Sequence, residues 1–225
     1  MAAALLAIFS HGPMPLYSTR TLAVAWEMWN QGHWLVPHIN GQPYSEKAPL
    51  LFWLIQAGWF AFGVNDIWPR VLEVLIGGTQ LVLVSMLARR LFPGRPWMAR
   101  ATPWMLLAFG YAFLFGLQIM YDALLAMWTL AALLCLTPKP QRAEPRWLLF
   151  GLCIGLGLLT KGPVMLLHVV FPWLLGPLWN GWAEQHRARW YGRGLLSLLL
   201  GGAMLLAWAL PAGFSGGDAY RQRLF

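Results

Sequence analysis

Charge is scarce in this 225-residue chain: Asp, Glu, Lys and Arg make up 11% of it, against 59% hydrophobic residues. A soluble globular domain carries about 25% charged residues, so a water-facing surface over most of the molecule is excluded, and the chain reads as integral to a membrane. Cysteine is nearly absent. Cys135 and Cys153 both fall in apolar runs, which excludes a disulfide or zinc framework and makes them small buried hydrophobes. Signal-peptide features are scarce too: residues 2–9 (AAALLAIF) have no basic n-region before them and no A-x-A site after them, which argues against reading them as a signal peptide. They read as the C-terminal part of a first span.

What is present is apolar sequence in blocks. Runs cover residues 71–88, 101–120, 123–136, 147–159, 163–179 and 194–212. Several approach the ~20 residues that a helix needs to cross the hydrocarbon core, and the shorter ones can span with tilt or local thinning. The expectation is an all-α polytopic membrane protein of about seven transmembrane helices, a single transmembrane domain over 1–225 with its helix bundle at 71–212.

The basic residues sort by loop. Arg89, Arg90, Arg95 and Arg100 form one group, Lys139, Arg142 and Arg146 a second, and Arg187, Arg189 and Arg193 a third, with only Glu144 and Glu184 among them. These groups carry the whole net charge of +8, and pairs of spans separate them, so they share one side, which the positive-inside rule makes cytoplasmic. The basic balance then reflects topology and contact with anionic membrane lipids, and nucleic acid is not needed as a partner. The other cations, Arg20, Lys47, Arg70, Lys161, Arg221 and Arg223, are balanced by Glu27, Glu46, Asp66, Glu73, Asp122 and Asp218. Asp122, Lys161 and the 218–223 segment fall on the outer side.

The stretch WLVPHINGQPYSEKAPLLFWL, residues 34–54, is polar and turn-rich in an otherwise apolar chain. Its location depends on residues 48–64, which either span, placing 11–47 in the cytoplasm, or lie in the interface, placing 11–47 outside. The charge rule fits both. The run is short, holds Gln56 and Gly58, and is rich in Trp and Phe, which favours the interface. Before it, Leu22, Ala25, Trp26 and Trp29 repeat at helical spacing opposite Arg20, Glu27 and Gln31, the pattern of an amphipathic helix lying flat. Its polar face either anchors the loop or serves catalysis.

A transporter needs ionisable groups near the bilayer midplane, whereas here only Gln80 and His168 are polar and well inside a span, and a lone histidine there is more often a helix-to-helix hydrogen bond. A polar cluster at the membrane surface suits an enzyme acting on a lipid head group. Such chemistry requires cations to hold an anionic phosphate and a carboxylate to take a proton from an attacking hydroxyl. Arg20, Lys47, Arg70 and Lys161 are the outer cations, and Glu27, Glu46 and Asp122 the outer carboxylates. Each has a structural alternative: Lys47 and Arg70 as snorkelling anchors, Lys161 as a helix terminator, Asp122 as an N-cap.

PHINGQPYSEKAPLLFWL resembles the first external loop of GT-C type membrane glycosyltransferases, the group of the aminoarabinose lipid A transferase and the protein O-mannosyltransferases. WEMWNQGHWLVPHINGQPY, WPR at 68–70, ARRLF at 88–92, MYDALL at 120–125 and LLTKGP at 158–163 follow in that family's order. The resemblance implies an external loop at 11–70 with juxtamembrane helices, in a protein of the bacterial inner membrane. It also implies transfer of a sugar from a polyisoprenyl phosphate carrier to a lipid, glycan or protein acceptor on the non-cytoplasmic face. Lys47 would contact the carrier phosphate; Arg20, Tyr44, Arg70 and Lys161 join it in binding substrate, and Asp122 matches the second family acid. Glu46 matches a position that can help hold a divalent metal, given a partner ligand; no other cofactor is implied.

Two departures stand out. The family places an Asp-Glu pair before the arginine of the first loop helix, but this chain reads YSTR, with Tyr17 and Ser18 in their place. Tyrosine, titrating near ~10, is a poor base at neutral pH, so the base falls to Asp122, Glu27 or Glu46, or the chain is a catalytically silent relative that binds a lipid-linked sugar or a partner. The chain also stops at GFSGGDAYRQRLF, where the family continues, and so reads as a fragment or a truncated homologue.

Overall fold

The computed structural model describes residues 16–109, 118–137 and 144–224. The apolar stretch 2–9, residues 110–117 of one expected span, and Lys139 and Arg142 of a basic loop lie outside the described residues. The order is α1 (Ser18–Gln31), β1 (His38–Ile39), β2 (Gln42–Pro43), α2 (Leu50–Phe62), α3 (Ile67–Leu91), α4 (Pro96–Ala108), α5 (Tyr121–Leu136), α6 (Trp147–Lys161), α7 (Val164–Leu174), α8 (Gly176–Trp179), α9 (Gly181–Gln185), α10 (Arg187–Ser215) and α11 (Asp218–Leu224).

Among the described residues, α3 with 25 residues and α10 with 29 are long and apolar enough to cross a bilayer, yet only 22% and 28% of their most apolar windows are buried in protein. Leu75, Val82 and Met86 on α3 and Leu195, Leu196, Leu199 and Leu206 on α10 point outward. A soluble core helix would bury those side chains, so this exposure suits a hydrocarbon solvent. α5 and α6, 16 and 15 residues long, reach about 24 Å at 1.5 Å per residue, short of the ~30 Å core.

Several expectations about boundaries are corrected. The apolar run 163–179 is not one helix: it breaks at Leu175 between α7 and α8, where Pro172 and Pro177 remove backbone donors. Arg187, Arg189 and Arg193 are not in a loop but on the first turns of α10, since arginine is a good helix former. The run from 101 belongs to a helix that starts earlier, at Pro96, and ends at Ala108. On α1 the buried face is Ser18, Thr21, Val24, Ala25 and Met28, while Trp26 is half exposed; the apolar face is rotated from the expected one because it packs on α2.

The loop segment adds a small hairpin to an otherwise helical chain. His38 pairs with Pro43 and Ile39 with Gln42 across Asn40 and Gly41, both at positive φ (53° and 73°); Asn-Gly supplies those two left-handed residues at low cost. α2 follows with 13 residues, about 20 Å, and buries Leu51, Phe52, Ile55 and Trp59. Tryptophan supplies much of the stitching: the indole N–H of Trp53 donates to Trp34 O (2.8 Å), Trp68 to Leu54 O (3.1 Å), Trp59 to Asn65 O (2.7 Å) and Trp208 of α10 to Leu35 O (2.9 Å). The bonds to Trp34, Leu35 and Asn65 satisfy carbonyls outside the helices that would otherwise be stranded beside lipid.

α6 and α10 pack through small residues. A Cβ on Gly151 would lie 2.9 Å from the Ser197 carbonyl oxygen, and one on Gly201 would lie 2.6 Å from the Ile154 side chain and 3.1 Å from the Gly155 backbone. Gly151→Leu is therefore expected to cost roughly 1–3 kcal/mol or more, the range for overpacking, read as a lowered midpoint of thermal unfolding in detergent; an unchanged midpoint would mean that the two helices part freely.

The two ends of the bundle differ in charge. Arg90 donates to Leu134 O and Thr137 O at the end of α5, Asn180 donates to Leu136 O (3.0 Å) while capping α9, and Arg193 pairs with Glu144, so the basic groups gather at one end. Arg20, Lys47, Asp122 and Lys161 gather at the other. Described residues of the loop thus line the end held by Asp122 and Lys161.

Candidate active site

The loop end holds two cavities with a common wall. The first, about 290 Å³, is lined on one side by Tyr17, Arg20 and Thr21 of the α1 region, on another by Tyr44, Glu46 and Lys47, and on the third by Ile119 to Asp122 with Lys161. The second, about 340 Å³, shares Glu46, Lys47 and Lys161 and continues along Pro163, Leu205, Leu206, Trp208, Ala209 and Leu224. One side of the shared wall is aromatic and charged; the other is mostly apolar.

Local structure positions each group. Asp122 is the second residue of α5, behind Met120 as the N-cap, so it is not itself the cap; a carboxylate in the first turn is favoured by the positive end of the helix dipole. Lys161 is the last residue of α6, stopped by Gly162 at φ 63°. Its ammonium pairs with Asp122, which joins the MYDALL and LLTKGP motifs into one unit. Arg20, on the first turn of α1, lies 3.5 Å from the Glu46 carboxylate, and the Tyr44 hydroxyl donates to the same oxygen at 3.3 Å. Burial, and then Glu46 beside it, pushes the Tyr44 phenol above its ordinary range, so it remains a donor at neutral pH. Lys47 sits over the Tyr121 ring, 5.8 Å from the centroid, a cation–π geometry that steadies the ammonium while leaving its protons free for an anion.

Two of the candidates stand elsewhere. Glu27 accepts the Gly41 N–H at 2.7 Å, so it ties α1 to the hairpin and does not line either cavity. Arg70 pairs with Asp66 at 2.6 Å at the start of α3 and also lines neither. In the positions expected for the acid pair, Tyr17 lines the first cavity and Ser18 is buried under α1, 2% exposed. For a metal, the residues around Glu46 are a poor fit: an arginine and a phenol are its partners, and no group of three or more His, Cys, Asp or Glu side chains converges among the described residues. One buried acid escaped the sequence reading. Glu73 is wholly buried on α3 and accepts the Met120 N–H at 2.7 Å; a carboxylate inside the apolar run VLEVLIGG was the available signal.

The chain is similar to known proteins over most of its length. Residues 46–208 match the dolichyl-phosphate-mannose-protein mannosyltransferase family profile. The chain is 29% identical over 225 residues to an undecaprenyl phosphate-alpha-4-amino-4-deoxy-L-arabinose arabinosyl transferase of Pseudomonas fluorescens, covering 96% of this chain and 38% of that protein. It is 30% identical to the Pseudomonas aeruginosa enzyme of that name, over 96% of this chain and 40% of the other. The chain thus spans about two fifths of the length of these relatives. Its fold matches the crystal structures of ArnT from Cupriavidus metallidurans, in the apo state (TM-score 0.71, 22% identity, 99% of this chain and 42% of that chain) and bound to undecaprenyl phosphate (TM-score 0.69, 23% identity, 96% and 40%). With the family profile covering most of its length, this chain belongs to the dolichyl-phosphate-mannose-protein mannosyltransferase family.

Proposed function

We propose that this chain forms the transfer site of a polyprenyl-phosphate-dependent glycosyltransferase, which moves a sugar from a polyisoprenyl phosphate to a lipid, glycan or protein acceptor. The observation that carries the reading is the shared wall: Lys47 and Lys161 face an aromatic, hydroxyl-rich cavity on one side and an apolar lane on the other. An amphipathic donor has this division, with a phosphate between a sugar and a prenyl chain. Lys47 and Lys161, helped by Arg20, hold the phosphate; Tyr44 and the ring of Tyr121 flank the sugar; the prenyl chain follows Leu205, Leu206 and Ala209.

In the reaction the bond between the anomeric carbon and the phosphate oxygen breaks, and the carrier phosphate leaves with the electron pair. The acceptor oxygen bonds to that carbon and its proton passes to a carboxylate. A phosphate departs with little acid help, so the protein's task is to orient the sugar and deprotonate the acceptor. Asp122 is the assigned base, with Glu46 next. Its partner Lys161 is free to turn toward the phosphate when the carrier binds, which releases the carboxylate for its task. The chain is proposed to lie in a bacterial inner membrane with about seven passes, the short helices crossing by local thinning of the bilayer. The 11–70 loop and this site are on the periplasmic face, and the 71–212 bundle is beneath them.

Reconstitution of the full-length protein with a polyprenyl-phosphate-linked sugar tests the reading by release of free polyprenyl phosphate. A second reading rests on Tyr17 and Ser18: with no acid at either position, a silent relative that binds the carrier without transfer would retain tight binding and release nothing. Sidedness has its own test. Cysteines placed at Ser45 and Ala123 are expected to react with a membrane-impermeant thiol reagent added outside, and one at Gln185, near the basic end, only after permeabilisation. Labelling of Ser45 only after permeabilisation would put the site on the cytoplasmic face.

A further inference from the structure

α3 and α5 run in parallel, joined by four hydrogen bonds made by three side chains of α3. Near the loop end, Glu73 Oε1 accepts the N–H of Met120, the N-cap of α5, at 2.7 Å. One step down, Gln80 Nε2 donates to Ala123 O at 2.7 Å. At the basic end, Arg90 donates to Thr137 O at 2.6 Å and to Leu134 O. The bonds join residues 43 to 47 positions apart in sequence, so the two helices run in the same direction and are tied near both ends. Charge follows the dipole of α5, with an acidic side chain at its N-terminal donors and a guanidinium at its C-terminal carbonyls.

Glu73 is an expensive choice. It is wholly buried, and its second oxygen has no partner among the described residues. A leucine would fill that space without desolvating a carboxyl group, so packing alone does not account for it. Between helices in lipid the hydrophobic driving force is weak, and apolar contacts alone would resist axial sliding poorly. A slip of one turn would move Asp122 by about 5.4 Å, away from Lys161 and from the shared wall.

We infer that Glu73, Gln80 and Arg90 act as an axial clamp that fixes the height of α5 and so holds Asp122 level with Lys161 and Lys47; Glu73 is a positioning residue. The catalytic part of this inference rests on the function proposed for Asp122, whereas the mechanical part does not. In the full-length protein, cysteines at positions 122 and 161 report the height of α5 through cross-linking by a short bifunctional thiol reagent. Glu73→Leu and, separately, Arg90→Gln are expected to slow that cross-link by about tenfold, on the scale of one buried hydrogen bond lost, while Glu73→Gln, which keeps an acceptor for Met120, is expected to cross-link near the parent rate. In the protein without added cysteines, Glu73→Leu should lower kcat with little change in KM for the carrier, and Glu73→Gln should restore most of it. Cross-linking at the parent rate in both Glu73→Leu and Arg90→Gln would overturn the clamp, and if Glu73→Leu fails to fold, Arg90→Gln alone decides. A parent protein with no transfer would sink the proposed function and leave the cross-link rates to judge the clamp.

Discussion

Asp122→Asn in the full-length protein is expected to lower sugar transfer by about 100-fold or more, the scale of general-base catalysis, with folding and carrier binding intact. The amide is nearly isosteric, keeps the place of the side chain in the first turn of α5, and removes only the capacity to accept a proton. The lost ion pair with Lys161 costs little stability, because the side chains are 61% and 28% exposed and such pairs are worth about 0–1 kcal/mol. Release of polyprenyl phosphate under single-turnover conditions measures the effect. Glu27→Gln provides the contrast: since Glu27 binds Gly41 and lines neither cavity, its loss should soften the hairpin while sparing chemistry. If Asp122→Asn transfers like the parent and Glu46→Gln does not, the base is Glu46, which shares the same cavity.

The second large effect concerns the phosphate. Lys47→Ala should weaken polyprenyl phosphate binding by roughly 10- to 100-fold, from about 1.5–3 kcal/mol for a charge-assisted contact. Arg189→Ala, on the exposed first turn of α10 at the other end, should leave binding almost unchanged. Lys47 is half-buried, and the Tyr121 ring beside it is held edge-on by Phe52 at 5.8 Å, so the ammonium is pre-organised and loses little freedom on meeting an anion. Equal effects from the two substitutions, measured by equilibrium binding of a labelled carrier in detergent, would make Lys47 a mere membrane anchor.

Legibility in the sequence divided along the range of the interactions. The Asn-Gly turn was present in PHINGQP but was not read as a hairpin, because four paired residues produce too short an alternation to register as strands. The face of α1 was misjudged by about one residue: Trp26 is apolar enough to enter any periodic pattern, yet it is half exposed while Thr21 and Ser18 are buried, since the packing partner is α2 and the choice lay in the tertiary contact. Arg70 and Glu27 looked equivalent to Lys47 and Glu46 as charges near the membrane surface. Their separation follows from local partners, Asp66 for one and Gly41 for the other, which composition cannot reveal.

By itself the sequence determined the solvent, the family and the charge asymmetry of the two ends, because each is written in residues close along the chain: apolar runs, ordered motifs, clusters of arginine. Tertiary structure alone decided that Arg20, Tyr44, Glu46, Lys47, Asp122 and Lys161 line one cavity, and that Glu73 is buried against the start of α5. Those juxtapositions join residues 26, 39 and 47 positions apart. They depend on the register of helices packed in parallel and on the bend of the loop over them, and no periodicity within a single segment encodes either.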